Sequence, residues 1–201
     1  AFYSFPTTIE TVDKAVQIIG IRQIRELVLA TTVVRAFNMM PLGMVDMNLF
    51  WKHSVAVGVM AKSIAQYCHL SQPERFYVSG LLHDIGRLIL AQKLPDQAIE
   101  IESILEHEKS DCHQKELEYL GYTHSDVGAA FIQKWGLPEL LSSITRFHHI
   151  PEQADEFKEE TSLIYLASRL TILIAPFDQD EVIDTLQLIE GWKNTGLSVE
   201  Q

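Results

Sequence analysis

The chain has 201 residues, of which 47% are hydrophobic and 21% charged, and its formal net charge at pH 7 is −11. This composition is that of an ordinary globular domain, neither disordered nor fibrous. The acidic excess argues against binding along a nucleic-acid backbone, which requires a dense Lys/Arg surface. No apolar run reaches the roughly 18 to 20 residues that span a bilayer, and Cys68 and Cys112 provide no disulfide framework. We therefore expect a cytoplasmic protein whose partners are neither nucleic acid nor membrane.

Apolar residues recur with helical spacing along nearly the whole chain, and no stretch alternates long enough to predict strands. Two helices are predicted before Pro41, on either side of Gly20. The helical segments predicted after Pro41 are, in chain order, 48–68, 73–84, 95–120, 123–135, a helix starting at 138, 161–174 and 180–193. The sequence therefore predicts one compact all-α domain over residues 1–201.

The predicted helix boundaries rest on a few residues with known capping preferences. Ser71 is expected to cap the helix that begins at Pro73, and Gly86 suits the left-handed position that follows a helix. Thr123 and Asp126 have the spacing of a capping box. These assignments place the end of one helix near residue 84 and the start of another near residue 123.

Several histidines and one aspartate fall on inward faces or ends of the predicted helices. These residues are His53, His83, Asp84, His124, His148 and His149. An inward imidazole needs partners for its ring nitrogens, and a buried carboxylate needs a positive charge or hydrogen-bond donors. A lone inward histidine is more often a hydrogen-bonded core residue than a ligand, but five of them beside one carboxylate favour a polar site. His69, His107 and His113 lie among polar residues and are interpreted as surface residues.

A divalent cation would satisfy several of these groups at once. Imidazole and carboxylate together suit zinc, manganese, iron or nickel, and magnesium is a further candidate. We therefore expect a divalent metal as the cofactor, if the protein holds one.

The segment 81–88, Leu-Leu-His-Asp-Ile-Gly-Arg-Leu, resembles the signature of the HD superfamily of phosphohydrolases. The more specific resemblance is to the HDOD subfamily. Residues 1–6 are similar to its AFYG-P segment, residues 18–20 to its LLG, and residues 121–149 to its H..VGA....WGLP run and terminal HH-P. The resemblance covers nearly the whole chain and implies an HD-type helical bundle. It assigns 1–45 to the remnant of an N-terminal helical portion truncated at its start, and 46–201 to the HD-like core.

The resemblance also implies a set of metal ligands. In HD phosphohydrolases a first histidine, the His-Asp pair and a later aspartate hold the metal, and the first three match His53, His83 and Asp84. The later aspartate matches Ser168, a poor ligand, and Asp178 is a substitute only if its loop folds back.

The two-metal HD-GYP relatives have further ligands that match His124, His148 and His149. The GYP motif that should follow the double histidine is absent, because residues 148–151 run straight into an acidic loop. Hydrolysis of cyclic di-GMP is therefore not expected.

Two functions follow from the resemblance. The first is a bacterial signal-transduction output or scaffold module without catalysis, whose partners are other signalling proteins or a regulatory domain such as a receiver, with a homodimer left open. The second is a metal-dependent phosphohydrolase acting on a nucleotide or other phosphate ester. There His83 and Asp84 would be catalytic. Lys52 and Arg87 are candidates for binding phosphate by adjacency alone, and the preferred interpretation of each is a solvated surface charge. Ser168 and the missing GYP motif favour the first function, while the retained His-Asp pair keeps the second open.

Overall fold

The computed structural model describes residues 45–108, 112–174 and 185–197, together with positions 20, 21, 24, 28, 31–33, 35 and 37. Over these residues the regular structure is helical and contains no strand, which confirms the all-α prediction. The described positions between 21 and 37 are helical, as expected for the second predicted helix. The first predicted helix lies outside the described residues.

The rest of the described chain forms a series of helices. In chain order these are α1 (Met47–Tyr67), α2 (Glu74–Leu82), α3 (Ile85–Lys93), α4 (Pro95–Glu108), α5 (Cys112–Leu120), α6 (His124–Lys134), α7 (Glu139–Phe147), a short 3-10 turn (Pro151–Gln153), α8 (Lys158–Ile174) and α9 (Thr185–Asn194). Most boundaries lie within a few residues of those predicted. Of the helical segment predicted over 95–120, the structure describes α4 and α5, and residues 109–111 lie outside the described residues.

Side-chain caps fix some helix starts and not others. The predicted capping box is present at α6, where the Thr123 hydroxyl accepts from the Asp126 backbone N–H and the Asp126 carboxylate accepts from the Thr123 backbone N–H. At α1 the Asp46 side chain accepts from two backbone N–H groups of the first turn. The predicted cap at Ser71 is wrong, because α2 begins after Pro73 without any side-chain cap.

The core consists of two clusters of buried apolar residues, and α2 contributes to both. The first cluster joins α2 and α3 to α6 and α7, and it includes Leu82, Ile85, Leu88, Ile132 and Leu141. The second joins α1 and α2 to α7 and α8 and includes Val57, Phe76, Ile144, Leu163 and Ile164. The junction between α2 and α3 is therefore enclosed by apolar packing on both sides.

Glycines allow two pairs of helices to touch along their backbones. A Cβ on Gly80 of α2 would lie 2.7 Å from the Cα of Gly58 on α1. A Cβ on Gly86 would lie 1.8 Å from the carbonyl oxygen of His124 at the start of α6. Gly86 lies inside α3 and its φ is not in the left-handed region, so the interpretation of Gly86 as a helix-ending residue is wrong. Its role is to let α3 approach α6.

None of the described helices combines the length and the apolar content that crossing a bilayer requires.

We predict that Gly80→Ala destabilises the fold, because the new methyl group meets the α1 backbone, which cannot move independently of its helix. Overpacking of this kind costs about 1–3 kcal/mol, which lowers the Tm of a domain of this size by roughly 2–10 °C in thermal unfolding. Ser63→Ala on the exposed face of α1 is the matched control and should change stability by less than about 0.5 kcal/mol. Equal Tm values for the two variants would contradict the close crossing.

Candidate metal centre

The carboxylate of Asp84 lies at the junction of α2 and α3, and the Asp84 side chain is 7% exposed. Its Oδ2 atom is 3.4 Å from Nε2 of His83 and 4.0 Å from Nε2 of His53 on α1. Its Oδ1 atom is 3.2 Å from Nε2 of His148, which follows α7, and 3.4 Å from Nε2 of His124, the first residue of α6. One buried carboxylate is thus surrounded by four imidazoles from four separate parts of the chain.

His149 completes the pocket, with its Nε2 atom 3.1 Å from Nε2 of His124. Among the described residues these side chains form two groups, each with its ligand atoms within 4.8 Å of one another, and both groups include Asp84. The first consists of His53, His83 and Asp84, and the second of Asp84, His124, His148 and His149. All six residues singled out from the sequence therefore lie around one carboxylate.

Backbone carbonyls fix the orientation of two of these rings. Nδ1 of His83 lies 2.7 Å from the Gly80 carbonyl oxygen, and Nδ1 of His148 lies 2.8 Å from the Thr145 carbonyl oxygen. Because a carbonyl can only accept, Nδ1 carries the proton in each neutral ring, and the lone pair on Nε2 is directed at Asp84. Nε2 of His148 is buried and makes no hydrogen bond. Histidines that bind metals through one nitrogen donate the other N–H in this way.

His124 has a carboxylate behind it in place of a carbonyl. Its Nδ1 atom and its backbone N–H both donate to Oε2 of Glu116 on α5, each at 2.6 Å. Glu116 is 4% exposed. Its importance was missed in the sequence, where it lies in a polar helix beside Lys115 and Glu118 and is indistinguishable from a solvated charge.

Burial sets the pKa of most histidines in the pocket. It lowers the pKa of His83 to about 4, although Asp84 acts in the opposite direction. Burial also lowers the pKa of His148, and it lowers that of His149 further, with His148 and His124 adding to the effect. These rings are therefore neutral near pH 7 and offer lone pairs.

The two carboxylates and His124 form the charged part of the site. Burial would raise the pKa of Asp84, but the neighbouring histidines, His83 foremost, hold it well below its usual range. Burial would lower the pKa of His124, but Glu116 and then Asp84 raise it well above its usual range. Among the protein groups alone, one imidazolium thus lies between two carboxylates, which leaves one negative charge in a pocket of neutral nitrogens. This charge and these lone pairs suit a cation.

A third group of potential ligand atoms belongs to Cys112, Glu116 and His124. The oxygen of Glu116 and Nδ1 of His124 are only 2.6 Å apart, which is a hydrogen-bond distance. Two ligands of one tetrahedral zinc ion lie roughly 3.3 Å apart, given metal–ligand bonds near 2.0 to 2.1 Å. This group is therefore a hydrogen-bonded support for His124 and not a further metal site.

None of the other described residues considered from the sequence belongs to either ligand group that contains Asp84. Arg87 borders it, with Nη1 3.9 Å from Oδ2 of Asp84 and a side chain that is 38% exposed. Lys52 is exposed on α1, and Ser168 is half-buried on α8. Asp178 lies outside the described residues. The interpretation of His113 as a surface residue is wrong, because its half-buried ring lies against His149 with 5.0 Å between ring centroids.

These features define the class of protein as an all-helical domain of the HD type, with a His-Asp pair at a helix junction and further histidines converging on it. The HDOD domain family matches residues 1–151, and the chain therefore belongs to the HDOD family. The resemblance noted from the sequence is confirmed.

Solved structures with the same fold come from several bacteria. The "Putative phosphohydrolase" of Shewanella amazonensis SB2B is 25% identical, with a TM-score of 0.74 over 94% of this chain and 68% of that chain. An HDOD domain protein with unknown function from Geobacter sulfurreducens is 23% identical, with a TM-score of 0.74 over 96% of this chain and 67% of that chain.

Among protein sequences, an uncharacterized protein of Treponema pallidum is 30% identical over 93 residues, which are 46% of this chain. The match spans only 18% of that relative's length.

We predict that His83 and His148 carry their proton on Nδ1 in the folded protein, because their backbone carbonyl partners can only accept. Long-range nitrogen–proton correlation spectra of 15N-labelled protein report the tautomer of each ring. The exposed His69 is the internal control and should show a mixture of tautomers. If the protons lie on Nε2 of His83 and His148, these nitrogens have no lone pair to direct at Asp84, and the proposed orientation of the two rings is wrong.

Proposed function

We propose that this chain is a signal-transduction output or scaffold module in which the His/Asp pocket holds divalent metal without catalysing a reaction. Membership of the HDOD family supports the general role. The single observation that carries the proposal is the composition of the pocket: histidine nitrogens surround Asp84 from several directions, yet Asp84 is the only carboxylate in either group of ligands among the described residues.

The proposed ligands divide between two cations that share Asp84. His53 and His83 would complete the first set, and His124, His148 and His149 the second. Neutral imidazoles with one carboxylate suit zinc, manganese, iron or nickel better than magnesium, which prefers oxygen ligands. A cation held there connects α1, the α2–α3 junction, α6 and the end of α7, so its binding adds to the stability of the fold.

The argument against catalysis concerns the first set of ligands. A hydrolytic site needs a fixed ligand set, an open position on the cation and a phosphate-binding group nearby. In this chain a neutral hydroxyl, that of Ser168, replaces the expected fourth ligand, and no other described carboxylate joins His53, His83 and Asp84. A weaker ligand set lowers the affinity for the cation and leaves the site more positive.

The proposed partners are other signalling proteins, a regulatory domain such as a receiver, or a second copy of this chain. This part of the proposal rests on family membership and on the acidic charge of −11, which disfavours nucleic acid. A cytoplasmic location, where the free Cys68 and Cys112 stay reduced, belongs to the same proposal.

A metal-dependent phosphohydrolase is the second candidate, and the position of Arg87 favours it. The guanidinium lies 3.9 Å from Asp84 at the border of the pocket and is partly exposed, so it would reach the phosphate of a substrate beside the cations. When bound, the cations would supply Lewis-acid stabilisation of charge on phosphate oxygens. The structural neighbour from Shewanella amazonensis SB2B is called a "Putative phosphohydrolase".

We predict that protein purified without chelator or metal-carrying affinity tag contains about one to two divalent ions per chain, as two ligand sets allow. Elemental analysis should show that His83→Ala with Asp84→Ala removes the metal and that Ser168→Asp increases it. His69→Asn and Ser63→Asp are the exposed controls, and asparagine tolerates the positive φ of His69. Chelation should lower the Tm of the unmodified protein by about 5–10 °C. A metal-free wild-type protein would contradict the proposal.

We predict no appreciable hydrolysis of cyclic di-GMP by the unmodified protein and at most weak metal-dependent hydrolysis of simple phosphate esters, because Ser168 cannot replace a carboxylate ligand. Product formation should be measured by chromatography with added Mn²⁺, Fe²⁺ or Zn²⁺, beside an active HD-GYP enzyme as the positive control. Rapid turnover that disappears in the His83→Ala/Asp84→Ala variant would decide in favour of the phosphohydrolase.

A further inference from the structure

Glu116 is a buried carboxylate whose described contacts lead to the second half of the pocket. Glu116 is only 4% exposed, and a charge buried to this degree requires compensating partners. The partners of Oε2 are the backbone N–H and the Nδ1–H of His124, and Oε1 accepts from the Cys112 thiol at 3.5 Å. The side chain therefore binds both the backbone and the ring of one histidine.

The two hydrogen bonds from His124 fix the start of α6 and the orientation of the ring together. His124 is the first residue of the helix, and its backbone N–H is one of the four that a helix leaves without an internal acceptor. Because Glu116 accepts this N–H and Nδ1–H through the same oxygen, the ring cannot rotate without breaking one bond. Nε2 is thereby directed at Oδ1 of Asp84, 3.4 Å away.

A carboxylate behind the ring differs from a carbonyl in charge. His83 and His148 are oriented by the Gly80 and Thr145 carbonyls. His124, in contrast, donates to a full negative charge, which makes its Nε2 more electron-rich and adds charge close to the second set of ligands. That set contains three imidazoles and only one carboxylate, which it shares with the first set.

We propose that Glu116 is the positioning residue of the second ion site and supplies, through His124, the negative charge that the ligands there lack. The inference rests on the proposed metal-binding function. Glu116 acts from behind the ligand, since the 2.6 Å between its oxygen and Nδ1 of His124 is a hydrogen-bond distance.

The test compares Glu116→Gln with Glu118→Gln on the same helix. Glutamine keeps the shape and an acceptor oxygen but removes the charge, and Glu118 is an exposed residue paired with Lys115. Zn²⁺ affinity is measured by competition with a chromophoric chelator. We expect Glu116→Gln to lower the affinity for one of the two Zn²⁺ ions by about 10–100-fold, as for other residues that orient metal-binding histidines. Glu118→Gln should leave both Zn²⁺ affinities unchanged.

A nitrogen–proton correlation spectrum separates positioning from a purely structural role. In Zn²⁺-loaded wild-type protein and Zn²⁺-loaded Glu118→Gln we expect His124 to carry a single ring proton, on Nδ1 and strongly deshielded by the carboxylate. In Glu116→Gln we expect loss of that deshielding or a mixture of tautomers. If Glu116→Gln does not fold, the wild-type spectrum carries the test, because the absence of a deshielded Nδ1 proton on His124 overturns the inference.

The outcomes also distinguish the two proposals. A wild-type protein that binds no Zn²⁺ overturns the proposed function and this inference with it. Wild-type, Glu116→Gln and Glu118→Gln proteins that bind Zn²⁺ equally well overturn the role of Glu116 alone and leave the metal centre in place.

Discussion

The buried carboxylate of Asp84 is the constraint on which the rest of the site depends. With its side chain 7% exposed, it has lost most of its hydration, and its compensation comes from imidazoles on several helices. The helices end where those side chains must reach it: α2 ends before His83, α3 begins after Asp84, α6 begins at His124 and α7 ends before His148. The positions of the helix ends are thus tied to the geometry of one charged group.

Bringing these helix ends together requires close backbone contact, which explains the glycines around the site. Gly86 is two residues from Asp84, and a methyl group on it would lie 1.8 Å from the carbonyl oxygen of His124. Gly128 on α6 faces the same contact, since a Cβ there would lie 3.1 Å from the Gly86 nitrogen. The separation of Asp84 and His124 is therefore set by main-chain packing between α3 and α6. A site positioned by backbone contact is more rigid than one held by loops.

Helical spacing of apolar residues was sufficient to predict the all-α fold and the inward direction of the pocket histidines. His53 could be placed because Val57 and Ile64 lie on the same stripe, and Thr123 because its cap is formed within four residues. The role of Gly86 was predicted wrongly because it depends on a contact with α6, which begins almost 40 residues later in the chain. Glu116 and His113 were missed because the apolar residues Leu117 and Tyr119 of α5 are exposed while Glu116 is buried, so apolar spacing does not mark the inner face of this helix. Only the packing of α5 against α6 shows which of its side chains are enclosed. The local sequence pattern therefore predicts the helices, whereas the roles of Gly86, Glu116 and His113 depend on contacts between helices that are distant in the sequence.

The two halves of the pocket differ in how their charge is supplied, and this bears on how metal binding and catalysis can separate. The half around His53 and His83 depends on Asp84 for its only carboxylate, and the sequence has Ser168 where a further one is expected. The half around His124 has the same shared carboxylate but is reinforced by Glu116 through a buried hydrogen bond. Loss of a ligand carboxylate therefore lowers the cation affinity of the first half directly, whereas the second half keeps the support of Glu116. On the proposed function, a cation in the second half would still join α6 and α7 to the α2–α3 junction and preserve the shape of the module after the chemistry of the first half had been lost.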